Sequence, residues 1–189
     1  MLEFFFIRKG INMNKILSTA MVSTLLATSA SAANLDFIKG DFYGGVGMGI
    51  ENFSHYSSYD PGVTVVVNGG KPIIKLGPGT IGAEGEITYT VLPMGHSYAS
   101  DLSIFTLSAF ATYTFDHTEK IYTRVKAGLS HRNYTFDNSR YYSNYNSRGV
   151  SAGVGAGYKL NDKMRLFSDL VLIDGSNLTQ VNFGTQMNF

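Results

Sequence analysis

Apolar and polar residues alternate with a period of two in eight separate stretches of this chain, and the sequence given ends inside the last of them. Val181, Phe183, Thr185, Met187 and Phe189 are apolar or nearly so, while Asn182, Gly184, Gln186 and Asn188 lie between them. A period of two puts successive side chains on opposite faces of an extended strand. A two-faced strand at a chain end needs a partner on each side, because an open edge invites aggregation.

Turn signals and alternation place strands at about 41–53, 63–76, 80–92, 102–115, 120–132, 148–160, 163–172 and 178–189. The second is interrupted by Asn68-Gly69-Gly70-Lys71-Pro72, which a strand survives only through a bulge or kink. Tight connections near 77–79, 116–119 and 161–162 alternate with longer ones near 54–62, 93–101 and 133–147. An even number of strands, with short turns at one end and long loops at the other, predicts an all-β, eight-stranded antiparallel up-and-down barrel. The last strand then closes against the first.

Alternation does not say which face is inside. The polar face of the sixth strand is Ser151, Gly153, Gly155, Gly157 and Lys159, and that of the eighth is Gln180, Asn182, Gly184, Gln186 and Asn188. Only 15% of the chain is charged, whereas soluble surfaces hold about 25–35% charged residues. These small polar faces therefore suit a narrow lumen. The opposite stripes (Phe42, Val46, Met48 and Ile50; Phe105, Leu107, Ala109, Ala111, Tyr113 and Phe115; Ile121, Thr123, Val125, Ala127 and Leu129) carry no charge. A Lys or Arg at the bilayer midplane costs about 2–4 kcal/mol, so stripes of this kind are expected to face lipid. Aromatic rings near predicted strand ends, among them Tyr89, Tyr113, Tyr158 and Phe189, fit the girdles of a transmembrane barrel.

The strand charges fall on the other face: Glu51, Glu84, Glu86, Arg124, Lys126, Arg165 and Asp169. Counted from their strand starts, Glu84, Glu86, Arg124, Lys126 and Asp169 reach similar heights and should share one layer across the lumen. Such a layer is either a satisfied polar plug or a selective path for ions.

Residues 13–32 read MNKILSTAMVSTLLATSASA, with a basic start, an apolar run and Ala30-Ser31-Ala32. This is the layout of a secretory signal peptide cut before Ala33, and its apolar run is shorter than the roughly 20 residues that span a bilayer. Residues 1–32 are thus expected to be removed, with Met13 an alternative start. Residues 33–40 form a short periplasmic leader, and 41–189 form the barrel. The removed segment holds Arg8, Lys9, Lys15 and Glu3 of the 15 basic and 14 acidic residues, so the rest carries about −1. That balance argues against nucleic-acid binding. With no cysteine, an exported chain has no disulfide framework.

Several motifs imitate chemical sites. Gly45-x-Gly47-x-Gly49 and Gly153-x-Gly155-x-Gly157 lack the spacing and the following helix of a nucleotide loop, and read instead as small lumen residues. His55-Tyr56-Ser57 and His96-Ser97 place a base near a hydroxyl in loops, with no acidic partner at a defined spacing. The four histidines do not cluster as metal ligands. No catalytic, cofactor or metal site is expected. The stretch holding Tyr134, Tyr141, Tyr142 and Tyr145 is the candidate surface-recognition loop, because tyrosine among Asn and Ser gives contact area at low entropic cost. The plainer reading is that strands five and six continue beyond the bilayer and these residues decorate them.

The signal peptide, FYGGVGMGIENF, IGAEGEITYTV, SAFATYTF, YTRVKAGLS, GVSAGVGAGYKLNDKMRLFSDL and the terminal TQVNFGTQMNF together resemble the small outer-membrane β-barrel family of Gram-negative bacteria. That family includes OmpA-type transmembrane domains, OmpX and the opacity proteins. The resemblance covers essentially the whole chain after residue 32. It implies residence in the outer membrane as a monomer among lipid and lipopolysaccharide, delivery by periplasmic chaperones and insertion by the barrel assembly machinery. In that family the closing aromatic strand is the assembly signal, which here would rest on Val181, Phe183, Met187 and Phe189. The resemblance also implies a structural or adhesin-like role toward host or cell-surface ligands. A narrow channel and a lipid-modifying enzyme are the alternatives. Unlike OmpA itself, the chain is expected to carry no periplasmic peptidoglycan-binding domain.

Overall fold

The computed structural model describes residues 36–37, 42–53, 59–95, 100–136, 144–174 and 177–189. Among these residues there are nine strands: β1 (Asp36–Phe37), β2 (Tyr43–Phe53), β3 (Gly62–Leu76), β4 (Gly79–Leu92), β5 (Leu102–Asp116), β6 (Ile121–Phe136), β7 (Tyr145–Lys159), β8 (Met164–Ile173) and β9 (Leu178–Asn188). Strands β2 to β9 pair in sequence order, all antiparallel, and β9 returns to β2. The result is a closed eight-stranded barrel, as the alternation and turn spacing predict.

Closure is set by the two chain ends of the barrel. Tyr43 to Phe53 of β2 pair with Asn188 to Leu178 of β9 without a break. Phe189 adds one more bond, its amide donating to the Phe42 carbonyl at 2.8 Å. A chain that ends inside a strand therefore leaves no open edge here. A closed barrel of this kind is expected to resist detergent when unheated, so the boiled and unboiled protein should migrate differently on a denaturing gel. Identical migration would count against closure.

The leader contributes a short strand of its own: Asp36 and Phe37 pair with Lys75 and Ile74 of β3. Strand β2 covers β3 only as far as Gly70, so β1 occupies part of the edge beyond it. The interrupted stretch does continue as β3, by the bulge it requires. The register against β4 shifts between Pro72 and Ile74, where a residue without an N–H removes a ladder bond at little cost. Gly77, with φ of 57°, then supplies the left-handed turn before Pro78 that few other residues adopt.

The faces divide as the alternation predicts. Phe42, Val46, Met48 and Ile50 of the first stripe, Phe105 and Leu107 of the next, and Ile121 and Leu129 of the third are all exposed on the outside. Val181, Phe183, Met187 and Phe189 are exposed on the same surface. Glu51, Glu84, Glu86, Arg124, Lys126 and Asp169 are buried in the lumen. One outward charge lies below the apolar stripes: Lys71, paired with Ala83, holds its ammonium 4.9 Å from the Phe42 ring. Its aliphatic stem covers apolar surface while its head lies at the aromatic girdle.

Candidate functional site

The charged layer of the interior is built from inward residues of alternate strands. Glu84 and Glu86 come from β4, Arg124 and Lys126 from β6, and Asp169 from β8. Strands β5 and β7 lie between them, so these side chains meet only if the intervening strands leave room. Strand β7 does so with glycine. Arg124, Gly155 and Asp169 stand in one row across three strands. A Cβ at Gly155 would run into the Asp169 carboxylate, and one at Gly153 would lie 3.1 Å from the Lys126 side chain. The period-2 glycines are thus the gap through which the ion pairs form.

Arg124 makes a two-pronged bond to Asp169, with Nε 2.8 Å from Oδ1 and the second bond from Nη2 to Oδ2, and donates from Nη1 to Glu84 Oε2 at 2.9 Å. Lys126 Nζ lies 2.7 Å from Glu86, 3.1 Å from Asp169 and 3.4 Å from Glu84. Tyr43 donates its hydroxyl to Glu84 at 2.7 Å. Phe110 and Phe167 stand against the Lys126 and Arg124 cations at 4.7 and 5.2 Å. Five expected charges therefore occupy one layer. The three carboxylates converge closely enough to suggest a cation site. Two protein cations already bind them, so their lone pairs are directed at Arg124 and Lys126.

Two of the seven expected lumen charges lie outside this layer. Arg165 is half-buried beside it, bonded through Nε to Gln186 at 2.8 Å and set over the rings of Tyr43 at 4.4 Å and Tyr122 at 5.6 Å. It has no direct carboxylate partner among the described residues, but it brings the local count to three cations for three acids, linked to Glu84 through Tyr43. Glu51 lies apart with no cation. It bonds to the Thr90 hydroxyl and accepts from Gln180 Nε2 at 3.0 Å. Beside this zone Ser108, Ser130 and Ser151 form a hydroxyl chain with links of 2.6 Å.

Toward the long-loop end the lumen turns largely apolar around one buried cation, Arg132, which pairs with Asp174 at 2.8 Å. Phe53, Met94, Leu102, Ile104, Tyr134, Ile173 and Leu178 form a buried cluster, with Tyr59 and Phe136 packed on it. The alternation does not reveal this cap, because at the start of β5 Leu102 and Ile104 on one face and Phe105 and Leu107 on the other give no contrast. The signal that remains is phase: Leu102 and Ile104 alternate with the outward Phe105 and Leu107.

The candidate recognition loop needs a correction. Tyr134 and Tyr145 are cross-strand partners at the ends of β6 and β7, which run beyond the expected 132 and 148. Tyr134 is 2% exposed; it accepts a bond from Arg132 Nη1 at 2.7 Å and belongs to the cap. Tyr145, 45% exposed, stacks on it at 4.4 Å. Long-range packing converts a polar-looking, tyrosine-rich stretch into strand. Tyr141 and Tyr142 lie outside the described residues, as do His55-Tyr56-Ser57, His96-Ser97 and the signal peptide.

This geometry can be set beside known proteins. No curated protein matches the sequence significantly. Solved structures that share the fold include Neisserial surface protein A, at 16% identity over 78% of this chain and 97% of that one, with a TM-score of 0.56. They also include Ail, the attachment invasion locus protein of Yersinia pestis, at 10% identity over 80% and 100% with a TM-score of 0.54. A third is the outer membrane protein OprG of Pseudomonas aeruginosa, at 12% identity over 79% and 96% with a TM-score of 0.52. The family of outer membrane protein beta-barrel domains matches residues 18–186. A closed barrel with lipid-type stripes outside, a charged lumen inside and that match over most of its length belongs to the outer membrane protein beta-barrel family and resides in the outer membrane.

Proposed function

We propose that this protein acts at the cell surface as a structural or adhesin-like barrel, presenting its long-loop end to ligands rather than passing solutes or catalysing a reaction. The observation that carries this reading is the double filling of the lumen: a paired charge layer, then an apolar cap. Ions crossing would have to break several buried pairs and then pass a packed apolar cluster closed around the ion-paired Arg132. In planar bilayers the protein is expected to show no steady conductance. Steady, ion-selective steps would overturn the reading in favour of a narrow channel.

Among the described residues the lumen serines carry no partner that could act as a base: Ser108, Ser130 and Ser151 bond to one another, with no histidine or carboxylate bonded to them. Lipid A and phospholipids should therefore survive incubation with the barrel, and turnover of either would refute the non-enzymatic role. A binding screen tests the positive half. Ail was solved in complex with the heparin analogue sucrose octasulfate, so sulfated saccharides are the first ligands to include.

The outward terminal stripe supports the assembly role given to Val181, Phe183, Met187 and Phe189, since all four stand where an assembly factor can reach them from the lipid side. Deletion of Phe189 should lower the yield of inserted barrel below that of Asn188→Ser. Equal yields would remove that role from the terminal ring.

A further inference from the structure

Between the charge layer and the cap lies a third zone of the lumen, and its charge is not balanced. On β9 the inward residues run from Leu178 in the cap through Gln180 to Asn182, which pairs with Asp169 of the layer. On β2 they run from Phe53 in the cap through Glu51 to Gly49. Elsewhere in the lumen Arg132 pairs with Asp174, and Arg124, Lys126 and Arg165 balance Glu84, Glu86 and Asp169. Glu51 is left as one uncompensated carboxylate among the described lumen residues, and it is 0% exposed.

The oxygens around Glu51 are short of partners. Gln180 Nε2 donates to its carboxylate at 3.0 Å and to Thr88 Oγ1 at 3.3 Å. These bonds fix which end of the amide faces Glu51, and they leave Gln180 Oε1 with no hydrogen-bond partner among the described residues. Thr64 Oγ1 and both polar atoms of Asn182 have none either, although all three side chains are buried. Gly49 stands between the last two, paired with Asn182 on one side and Thr64 on the other. A Cβ at Gly49 would run into Asn182 Oδ1 and lie 2.7 Å from Thr64 Oγ1, so both oxygens lean over the same glycine. Buried polar atoms nearly always have a partner, and a buried carboxylate without a cation is costly.

We infer that Glu51, Thr64, Gln180 and Asn182 hold a monovalent alkali cation, enclosed between the charge layer and the cap. Its ligands are a carboxylate oxygen of Glu51, the amide oxygens of Asn182 and Gln180, and the Thr64 hydroxyl. All four are hard oxygen donors, the class that suits alkali and alkaline-earth ions rather than transition metals. The single carboxylate decides the charge: one positive charge neutralises it, whereas a divalent ion would leave a net charge buried in a medium of low dielectric. Water supplies partners to the polar atoms but no charge, so it does not replace the ion. The carboxylates of the layer are already bound by Arg124 and Lys126, which keeps the ion at Glu51. It is captured as the barrel closes and does not cross, so the site is independent of any ligand at the long-loop end.

The test is equilibrium urea unfolding of the whole refolded barrel in phospholipid bilayers, with sodium or potassium chloride replacing choline chloride stepwise at fixed ionic strength. A site present only in the folded state makes the unfolding constant fall about tenfold for each tenfold rise in cation above its dissociation constant. Choline alone should give the highest unfolding constant. Glu51→Gln removes the charge at nearly constant volume, so its unfolding constant should not respond to either salt. Asn182→Ala and Thr64→Val each remove one ligand and should move the response to about tenfold higher cation concentration; these two variants carry the test should Glu51→Gln fail to fold. Heat-dependent gel mobility reports that each variant is folded. Equal stability of the wild type in all three salts would overturn the assignment and leave Glu51 protonated or hydrated. A wild-type cation response in Glu51→Gln, or in both ligand variants, would overturn it too, as would a response to calcium chloride alone.

Discussion

Arg124→Ala is expected to destabilise the barrel by about 3–5 kcal/mol, less whatever is recovered if water fills the space, because removal of one partner leaves buried carboxylates uncompensated. The substitution takes the double bond from Asp169 and the single bond from Glu84, leaving Lys126 to face three acids. The neighbouring substitution Val125→Ala should cost about 1 kcal/mol or less, since Val125 points toward lipid that is as apolar as the protein. Reversible urea unfolding in phospholipid bilayers measures both. Equal costs at the two positions would sink the face assignment, because a one-residue slip would exchange their roles. Pairing Arg124→Met with Asp169→Leu should recover part of the loss, as replacing both partners of a buried ion pair often does.

Gly155→Ala is expected to cost about 1–3 kcal/mol, the usual range for overpacking a filled interior. The added methyl would meet Asp169 and come within 2.7 Å of the Ser168 carbonyl, forcing apart the row in which Arg124 reaches across β7. Gly85→Ala is the matched control. Its Cβ would find only the Gly69 carbonyl, at 3.9 Å, so that variant should be neutral or more stable by up to about 1 kcal/mol through reduced chain entropy. The same unfolding assay reads both. Neutral behaviour at Gly155 would mean that the glycines are not the gap on which the ion cluster depends.

Both experiments probe a lumen whose two halves follow different rules. The charged half is specific, since bidentate geometry fixes which acid meets which base. The other half is closed mainly by apolar packing, with Arg132 bonded to Tyr134 and Asp174 inside it. The role proposed above therefore rests on the surface at the long-loop end rather than on the lumen.

What could be read from the residues alone was everything governed by local periodicity. Alternation located eight strands, separated lumen residues such as Gln180 and Asn182 from lipid-facing ones such as Val181 and Phe183, and brought Glu84, Glu86, Arg124, Lys126 and Asp169 to similar depths. It could do so because a pleated strand sends side chains to alternate faces whatever its partners are. Tertiary structure decided what depends on neighbours. Arg165 and Glu51 share the lumen face yet stand outside the charge layer, since strand stagger, not face, determines which side chains meet. The ends of β6 and β7 hold together across Tyr134 and Tyr145 because the cap buries one ring and the other stacks on it. The apolar cap itself was hidden at the start of β5, where Leu102 and Ile104 inward and Phe105 and Leu107 outward leave no contrast to read. His131 and Arg148, 17 residues apart in sequence, stand side by side only because the register of two strands makes them partners.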